Sequence, residues 1–272
     1  MSMIESASPQ QPSPGQGHVA KHRRSNAVSR RRILFGGLAA AAAGGLGLAG
    51  MASAGGTRER VAPGGPAGVA CTLTAEAPRG PYALPGALVR TDIREGRPGV
   101  PVQYLFTVVD ASNGCAPLPG ALVELWQSDH RGEYSGFVGS NGHDGDDNGT
   151  FLRGGGITDE NGQVEIVSSW PGRYAARAVH AHLRVHTGVT LTGDSYTGGK
   201  VVHTGQLFFD PAINTEVQAT HPYVENVTRE TPLDADSVYD GGGAASGLLT
   251  LNPLGGRAAD GYAATLTVGV AA

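Results

Sequence analysis

The chain has 272 residues, 43 of them glycine, and a formal net charge of −4. Residues 1–54 hold six of the 20 Lys and Arg (Lys21, Arg23, Arg24, Arg30, Arg31, Arg32) but only one acid, Glu5, so the remainder carries 14 basic against 23 acidic residues, a net −9 with neutral His. That balance argues against nucleic acid or anionic lipid as a partner.

The N-terminal 54 residues read as an address. Ser29-Arg30-Arg31-Arg32-Ile33-Leu34 is a twin-arginine pattern, an Ala/Gly/Leu-rich apolar stretch runs from Ile33 to about Gly50, and Ala52-Ser53-Ala54 supplies a small-residue cleavage site. The competing reading is a membrane anchor, against which the stretch is short, glycine-rich and followed by the cleavage signal. The twin-arginine route carries folded proteins, so it suits a metal loaded before export, a secreted or cell-envelope location, and no stable membrane association after cleavage. Residues 55–70 are rich in Gly, Pro and Ala and read as a flexible linker. Residues 71–272 have the length of one domain. The two cysteines, Cys71 and Cys115, read as a disulfide in an oxidising compartment, with two free thiols as the alternative.

Within the domain, Val102–Asp110, Ala121–Gln127, Gln163–Ser169, Ala178–Val185, Lys200–Asp210 and Gly261–Val270 carry the β-branched and aromatic residues of strands. The third starts directly after the turn signal Asp159-Glu160-Asn161-Gly162. Pro211–Thr220 is the best helix candidate, with Pro at its start. Short strands in glycine-rich surroundings predict a mostly β domain: an antiparallel β-sandwich with long loops and one or two short helices.

His180 and His182 stand one residue apart in the predicted strand Ala178–Val185, so both imidazoles face one side and could hold one metal ion. Tyr174 heads the same segment and offers a phenolate. Phenolate oxygen with imidazole nitrogen suits a hard, highly charged ion such as ferric iron. A second tyrosine, Tyr134, lies in Gly132-Glu133-Tyr134-Ser135-Gly136. Each piece alone is weak, because histidines also decorate solvated strands and a tyrosine in a turn is ordinarily a half-buried aromatic.

In combination the segments resemble the intradiol ring-cleavage dioxygenases, and most closely the secreted single-domain relatives of protocatechuate 3,4-dioxygenase. The matching pieces run in order: Gly80-Pro81-Tyr82, Arg90-Thr91-Asp92-Ile93, Pro117–Gln127, Gly132–Gly136, Phe151-Leu152-Arg153-Gly154, Thr158–Gly162, Pro171–His182 and Gly205-Gln206-Leu207-Phe208-Phe209. The resemblance implies one non-haem ferric ion per chain, held by Tyr134, Tyr174, His180 and His182, and cleavage of a catechol by O2 between its two hydroxylated carbons to a muconate-type diacid. It places the family's arginine on Arg177 and its glutamine on Gln206, both at the substrate, and sets Tyr82 near the mouth of the pocket. By family analogy Tyr174 is the tyrosinate that leaves when substrate binds and Tyr134 stays. A free phenol has a pKa of about 10, which a bound trivalent cation lowers.

Two departures stand out. The family ordinarily has Gly two residues after the second tyrosine and Ile between the histidines, where this chain has Ala176 and Ala181. The acidic run Asp144-Gly145-Asp146-Asp147-Asn148-Gly149 matches the first half of an EF-hand loop, but the acid of the twelfth position is replaced by Gly155, which favours a solvated surface loop. His186 continues the alternation and reads as facing the site or its rim, and Trp126 reads as core. Two rival functions stay open at this stage: a catalytically inactive sandwich that binds sugar or protein, and a zinc hydrolase using His180, His182 and a carboxylate. The particular catechol is also open, and so is a homodimer, for which residues 1–70 offer no helical dimerisation segment.

Overall fold

The structure, a computed structural model, describes residues 72–174 and 176–272. The expected signal peptide (1–54), the linker (55–70) and Cys71 of the expected bridge lie outside the described residues. Among those described, no helix is long and apolar enough to cross a membrane.

The strands are β1 (Pro101–Asp110), β2 (Ala116–Pro117), β3 (Leu122–Gln127), β4 (Arg153–Ile157), β5 (Gln163–Ser169), β6 (His180–Thr192) and β7 (Ser195–Phe208). The helix α1 (Pro211–Gln218), β8 (Thr250–Pro253) and β9 (Tyr262–Val270) follow. They build two sheets. One has the order β2-β1-β9-β8, with β5 also pairing with β1, and the other runs β4-β3-β6-β7. The expected mostly β sandwich is therefore present. All pairings between named strands are antiparallel except β1–β9, which run parallel from Val102 opposite Tyr262 to Asp110 opposite Val270.

In the first sheet, alternation sorts the side chains. Val102, Tyr104, Phe106 and Val108 of β1 are fully buried with Ile166 of β5 and Ala264 and Val268 of β9. From the second sheet they meet Val123 and Leu125 of β3, Ala181, Leu183 and Val185 of β6, and Leu207 of β7. Burying each of the larger of these side chains stabilises the fold by about 1.5–3 kcal/mol. One polar bridge crosses the core: Tyr104 Oη donates to Gln127 Oε1 (2.8 Å), and Gln127 Nε2 donates to the Ser169 carbonyl (2.6 Å).

The second sheet is buried on both faces where β3 and β6 meet. Glu124 and Trp126, with His180, His182, Arg184 and His186, occupy the positions that alternate with the core set and so share the outer face. Trp126 is thus buried as expected, but outside the central core. A strap before β1 helps cover this face. The Ala77 amide donates to the Thr204 carbonyl (2.8 Å), and a Cβ at Gly80 would lie 2.9 Å from His182 Cε1.

β4 escaped the sequence reading because its middle is Gly154-Gly155-Gly156. The glycines permit close packing: a Cβ at Gly155 would stand 2.3 Å from the Val123 carbonyl oxygen, and one at Gly154 would stand 2.6 Å from Ile93 Cγ2. The β6–β7 hairpin is longer than expected, with Thr192 opposite Ser195 across the two-residue turn Gly193-Asp194. Helix α1 starts where expected. Asp210 caps it by accepting from the Ala212 and Ile213 amides, and Pro211 fills its first turn.

Candidate metal centre

Four rings from three stretches of chain close into a ring. Centroids are 5.4 Å apart for Tyr174 and His180, 4.8 Å for His180 and His182, 6.0 Å for His182 and Tyr134, and 5.7 Å for Tyr134 and Tyr174. Tyr134, His180 and His182 are buried and Tyr174 is half-buried.

Each ring is held by local structure. The Asp129 carboxylate accepts from the Arg131 and Glu133 amides and sets the turn before Tyr134. Gly132, at φ +89°, lets that turn meet the Arg173 carbonyl, from which a Cβ would be 2.3 Å away. The buried Glu133 carboxylate accepts from the amides of Gly139 (3.1 Å), Asn141 (3.1 Å) and His143 (3.0 Å), so the next loop folds around it. Arg153 Nη2 donates to the Ser135 carbonyl (2.7 Å), and burial depresses the Arg153 guanidinium to about 10. His180 Nδ1 lies 2.7 Å from the Ala178 carbonyl, which assigns its proton to Nδ1 and leaves Nε2 a lone pair. His182 lies flat on Trp126, and Arg184 stands over the other side chain of that pair at 5.1 Å from the Trp126 ring.

The polar atoms at the centre lack partners. Tyr134 Oη and both His182 nitrogens are buried without a hydrogen bond, although buried polar groups are ordinarily satisfied. Tyr174 Oη is 2.9 Å from His180 Nε2. Two ligands each about 2 Å from one ion stand roughly 3 Å apart, so this pair suits a shared metal. Burial raises the Tyr134 phenol well above its ordinary value and the Tyr174 phenol to about 12. Burial likewise holds the His182 imidazole far below its ordinary range and His180 at about 3. Without a cation the site is thus a set of neutral phenols and neutral imidazoles with orphaned donor atoms. The donor chemistry fits a hard trivalent ion, which stabilises phenolate. Among the described residues no group of three or more His, Cys, Asp and Glu side chains could hold a metal, so the carboxylate that a zinc hydrolase needs is missing there.

The remaining expected residues surround these rings. Tyr82 stacks on Tyr134 at 4.5 Å, meets Tyr174 edge-on at 6.0 Å and donates to Asn141 Oδ1 (3.2 Å). Arg177 Nη1 lies 3.3 Å from His180 Nε2, and Nη2 donates to Gln206 Oε1. Gln206 pairs across the sheet with His182, and its Nε2 donates to the Pro78 carbonyl (2.8 Å). His186 belongs to a different group: its Nε2 is 2.8 Å from Glu124 Oε2, a carboxylate also 3.8 Å from Arg184. In the acidic run, exposed Asp147 accepts from the amides of Gly136, Val138 and Gly149. The sequence reading gave no role to Glu133 or Asp236, nor to Trp126 at the site. Trp126 was reachable by parity had the register of β3 against β6 been known. Asp236 lies 59 residues from the arginine it binds and leaves no local pattern.

A dioxygenase family model matches residues 82–202, which include all four rings. An intradiol ring-cleavage dioxygenase from Tetranychus urticae is 30% identical, with 74% of this chain and 95% of that chain covered and a TM-score of 0.63. A second solved dioxygenase is 29% identical over the same shares, with the same TM-score of 0.63. No curated protein matches the chain. With that degree of identity across nearly the whole of a solved relative, the chain belongs to the intradiol ring-cleavage dioxygenase family.

Proposed function

We propose that this chain is an exported non-haem Fe(III) dioxygenase that opens catechol-type rings between the two hydroxylated carbons, consuming O2 and releasing a muconate-type diacid. The observation that carries the reading is the cluster of Tyr134, Tyr174, His180 and His182 with unpartnered buried Tyr134 Oη and His182 nitrogens. These four residues would hold one iron per chain. Ferric iron, when bound, supplies the positive charge that keeps both phenols ionised and makes a bound catecholate reactive toward O2.

The side chains divide the remaining work. Tyr134 is fully buried beneath Tyr82 and would stay in place, whereas Tyr174, only half-buried, is by family analogy the tyrosine that leaves when substrate binds. As a phenolate, Tyr174 would accept a catechol proton at Oη. Tyr82 walls one side of the substrate space, and Gln206, tied to Pro78, fixes the edge beside His182. Arg177 directs N–H donors toward negative charge that builds on the substrate. Export by the twin-arginine route, cleavage after Ala54 and a Cys71–Cys115 bridge belong to the same proposal, and the folded-protein route suits a metal loaded before transport.

Purified mature protein is expected to be reddish, with a broad visible tyrosinate-to-iron band that shifts on adding catechol, and to take up oxygen with it. Tyr134→Phe and His180→Ala should each bleach the band and stop oxygen uptake. A colourless protein with stoichiometric zinc, or oxygen uptake surviving in both variants, would overturn the assignment. Oxygen uptake over a small panel of catechols, with product spectra, identifies the substrate.

A further inference from the structure

Arg177 has five N–H donors, and the fold consumes most of them. Nε donates to Asp236 Oδ2 at 2.9 Å. Nη2 donates to Gln206 Oε1 and lies 3.3 Å from Asp236 Oδ1. That leaves Nη1, the nitrogen 3.3 Å from His180 Nε2. When His180 Nε2 is committed to a metal, the two Nη1 hydrogens are the donors without a partner.

The carboxylate that imposes this orientation is itself immobilised. The Asp236 side chain is 0% exposed and that of Arg177 is 16% exposed. Asp236 Oδ2 also accepts from the Ala178 amide (2.7 Å), and Oδ1 accepts from the amides of Val238 (2.8 Å) and Tyr239 (3.1 Å). It sits at the end of the short 3-10 turn Leu233–Ala235. Tyr239, three residues on, packs edge-on against Phe208 at 5.1 Å, and Phe208 lies 6.0 Å from His180. The segment after α1 therefore forms a second wall of the site and delivers the anion that anchors the arginine.

We propose that Asp236 is the positioning residue of this enzyme: it locks the guanidinium so that Arg177 presents Nη1 alone to the reacting catechol. This rests on the function proposed above. A side-on, two-point carboxylate contact fixes a guanidinium in its plane, which a single hydrogen bond to Gln206 does not.

Asp236→Asn tests it. An amide serves only one of the two oxygen positions as an acceptor, so in either orientation its NH2 faces at least two N–H donors. The expected result is a kcat lowered on the order of a hundredfold, as for a misplaced catalytic group. Iron content, the visible band and KM for catechol should change little. Arg177→Gln should lose as much, and the double variant should be no worse than Arg177→Gln alone. Unchanged kcat in Asp236→Asn, or losses that multiply in the double variant, would overturn the proposal. A purely structural role would instead lower the unfolding midpoint while the folded, iron-loaded fraction kept its kcat, which also overturns it. A readout without iron covers the case in which Asp236→Asn does not fold. In the metal-free parent protein, the Arg177 Nε–H resonance, assigned through Arg177→Lys, should be well resolved and slow to exchange, unlike that of exposed Arg257. Exchange as fast as Arg257 would refute the lock. Failure of the parent reading looks different: a colourless, inactive parent, against a coloured, active parent that ignores Asp236→Asn.

Discussion

His182 lies parallel to Trp126, with ring centroids 4.9 Å apart and 5° between the planes, while Gly80 abuts the imidazole edge. The two contacts fix the plane in which the His182 nitrogens point. A Cβ at Gly80 would be 2.9 Å from Cε1, and the residue sits at φ +71°; Gly86, at φ +73°, has nothing within 4 Å. Gly80→Ala and Gly86→Ala thus share the backbone cost of roughly 1–2 kcal/mol, but only the first displaces the imidazole. Gly80→Ala is expected to weaken iron binding by roughly 10- to 100-fold, the size of effect seen when residues supporting metal ligands are altered. Gly86→Ala should lower the unfolding midpoint alone. Iron titrations of the two variants decide; equal affinities would show that Gly80 does not orient His182.

Ala176 occupies the left-handed region at φ +64° and is exposed, at the position where the family ordinarily carries Gly. An L-residue there costs about 1–2 kcal/mol, and replacing Ala by Gly gives back about 0.4–1 kcal/mol through the freer unfolded chain. Ala176→Gly should therefore stabilise the protein by about 0.5–1 kcal/mol in urea unfolding. Ala181, fully buried in β6, offers no such relief, and Ala181→Gly should destabilise. A destabilised Ala176→Gly would mean that the loop between Tyr174 and His180 relaxes without strain.

The histidine pair on β6 was legible because strand parity alone puts His180 and His182 on one side. Tyr174 was legible from its place just upstream of that pair, whereas Tyr134 became legible only through resemblance, since nothing local joins it to Tyr174. What stayed hidden depends on register and on long-range pairing. Trp126 looks like core from its neighbours Leu125 and Val123, yet its parity sends it to the site face opposite His182. β4 hides in a glycine run whose purpose is close approach rather than strand propensity. The sequence reading stops one strand at Val185 and starts the next at Lys200, whereas β6 and β7 run on to Thr192 and back from Ser195, and of Gly188, Gly193 and Gly198 only Gly193 lies in the turn.

His203 is buried on β7 beside Glu76, with Nδ1 2.9 Å from Oε1, and Nε2 lacks a partner. Burial depresses its pKa, and the Glu76 carboxylate only partly opposes this. For a histidine lowered in the folded state, the unfolded chain takes up the proton first. Its contribution to stability is therefore intact above the unfolded value of about 6.5 and declines as pH falls from there through the lower folded value. His130, His180 and His182 act in the same direction in the metal-free protein, so the difference between parent and variant isolates His203. His203→Gln keeps a donor for Glu76 but does not titrate. Urea unfolding of metal-free protein should show a shallower loss of stability below about pH 6.5 in the variant; identical pH slopes would mean that His203 charges freely while folded.

The run Asp144–Gly149 looks like the start of a calcium loop, yet its geometry points to a different job for Asp147. Its Oδ1 accepts from Gly136 (2.7 Å) and Gly149 (2.9 Å), and its Oδ2 lies 3.3 Å from the Val138 amide. These bonds lower the Asp147 pKa against the opposing effect of burial. The carboxylate thereby ties the run to the segment that follows Tyr134, with both Oδ1 lone pairs and one of Oδ2 taken by amides. Asp147→Ala removes an acceptor shared by these N–H groups, which water can reach, and is expected to cost about 0.5–1.5 kcal/mol. Millimolar calcium should leave the unfolding midpoint of the parent protein unchanged, because a cation at Asp147 would compete with those amides. A calcium-dependent rise in the midpoint that disappears in Asp147→Ala would reverse this conclusion and restore the run as a cation site.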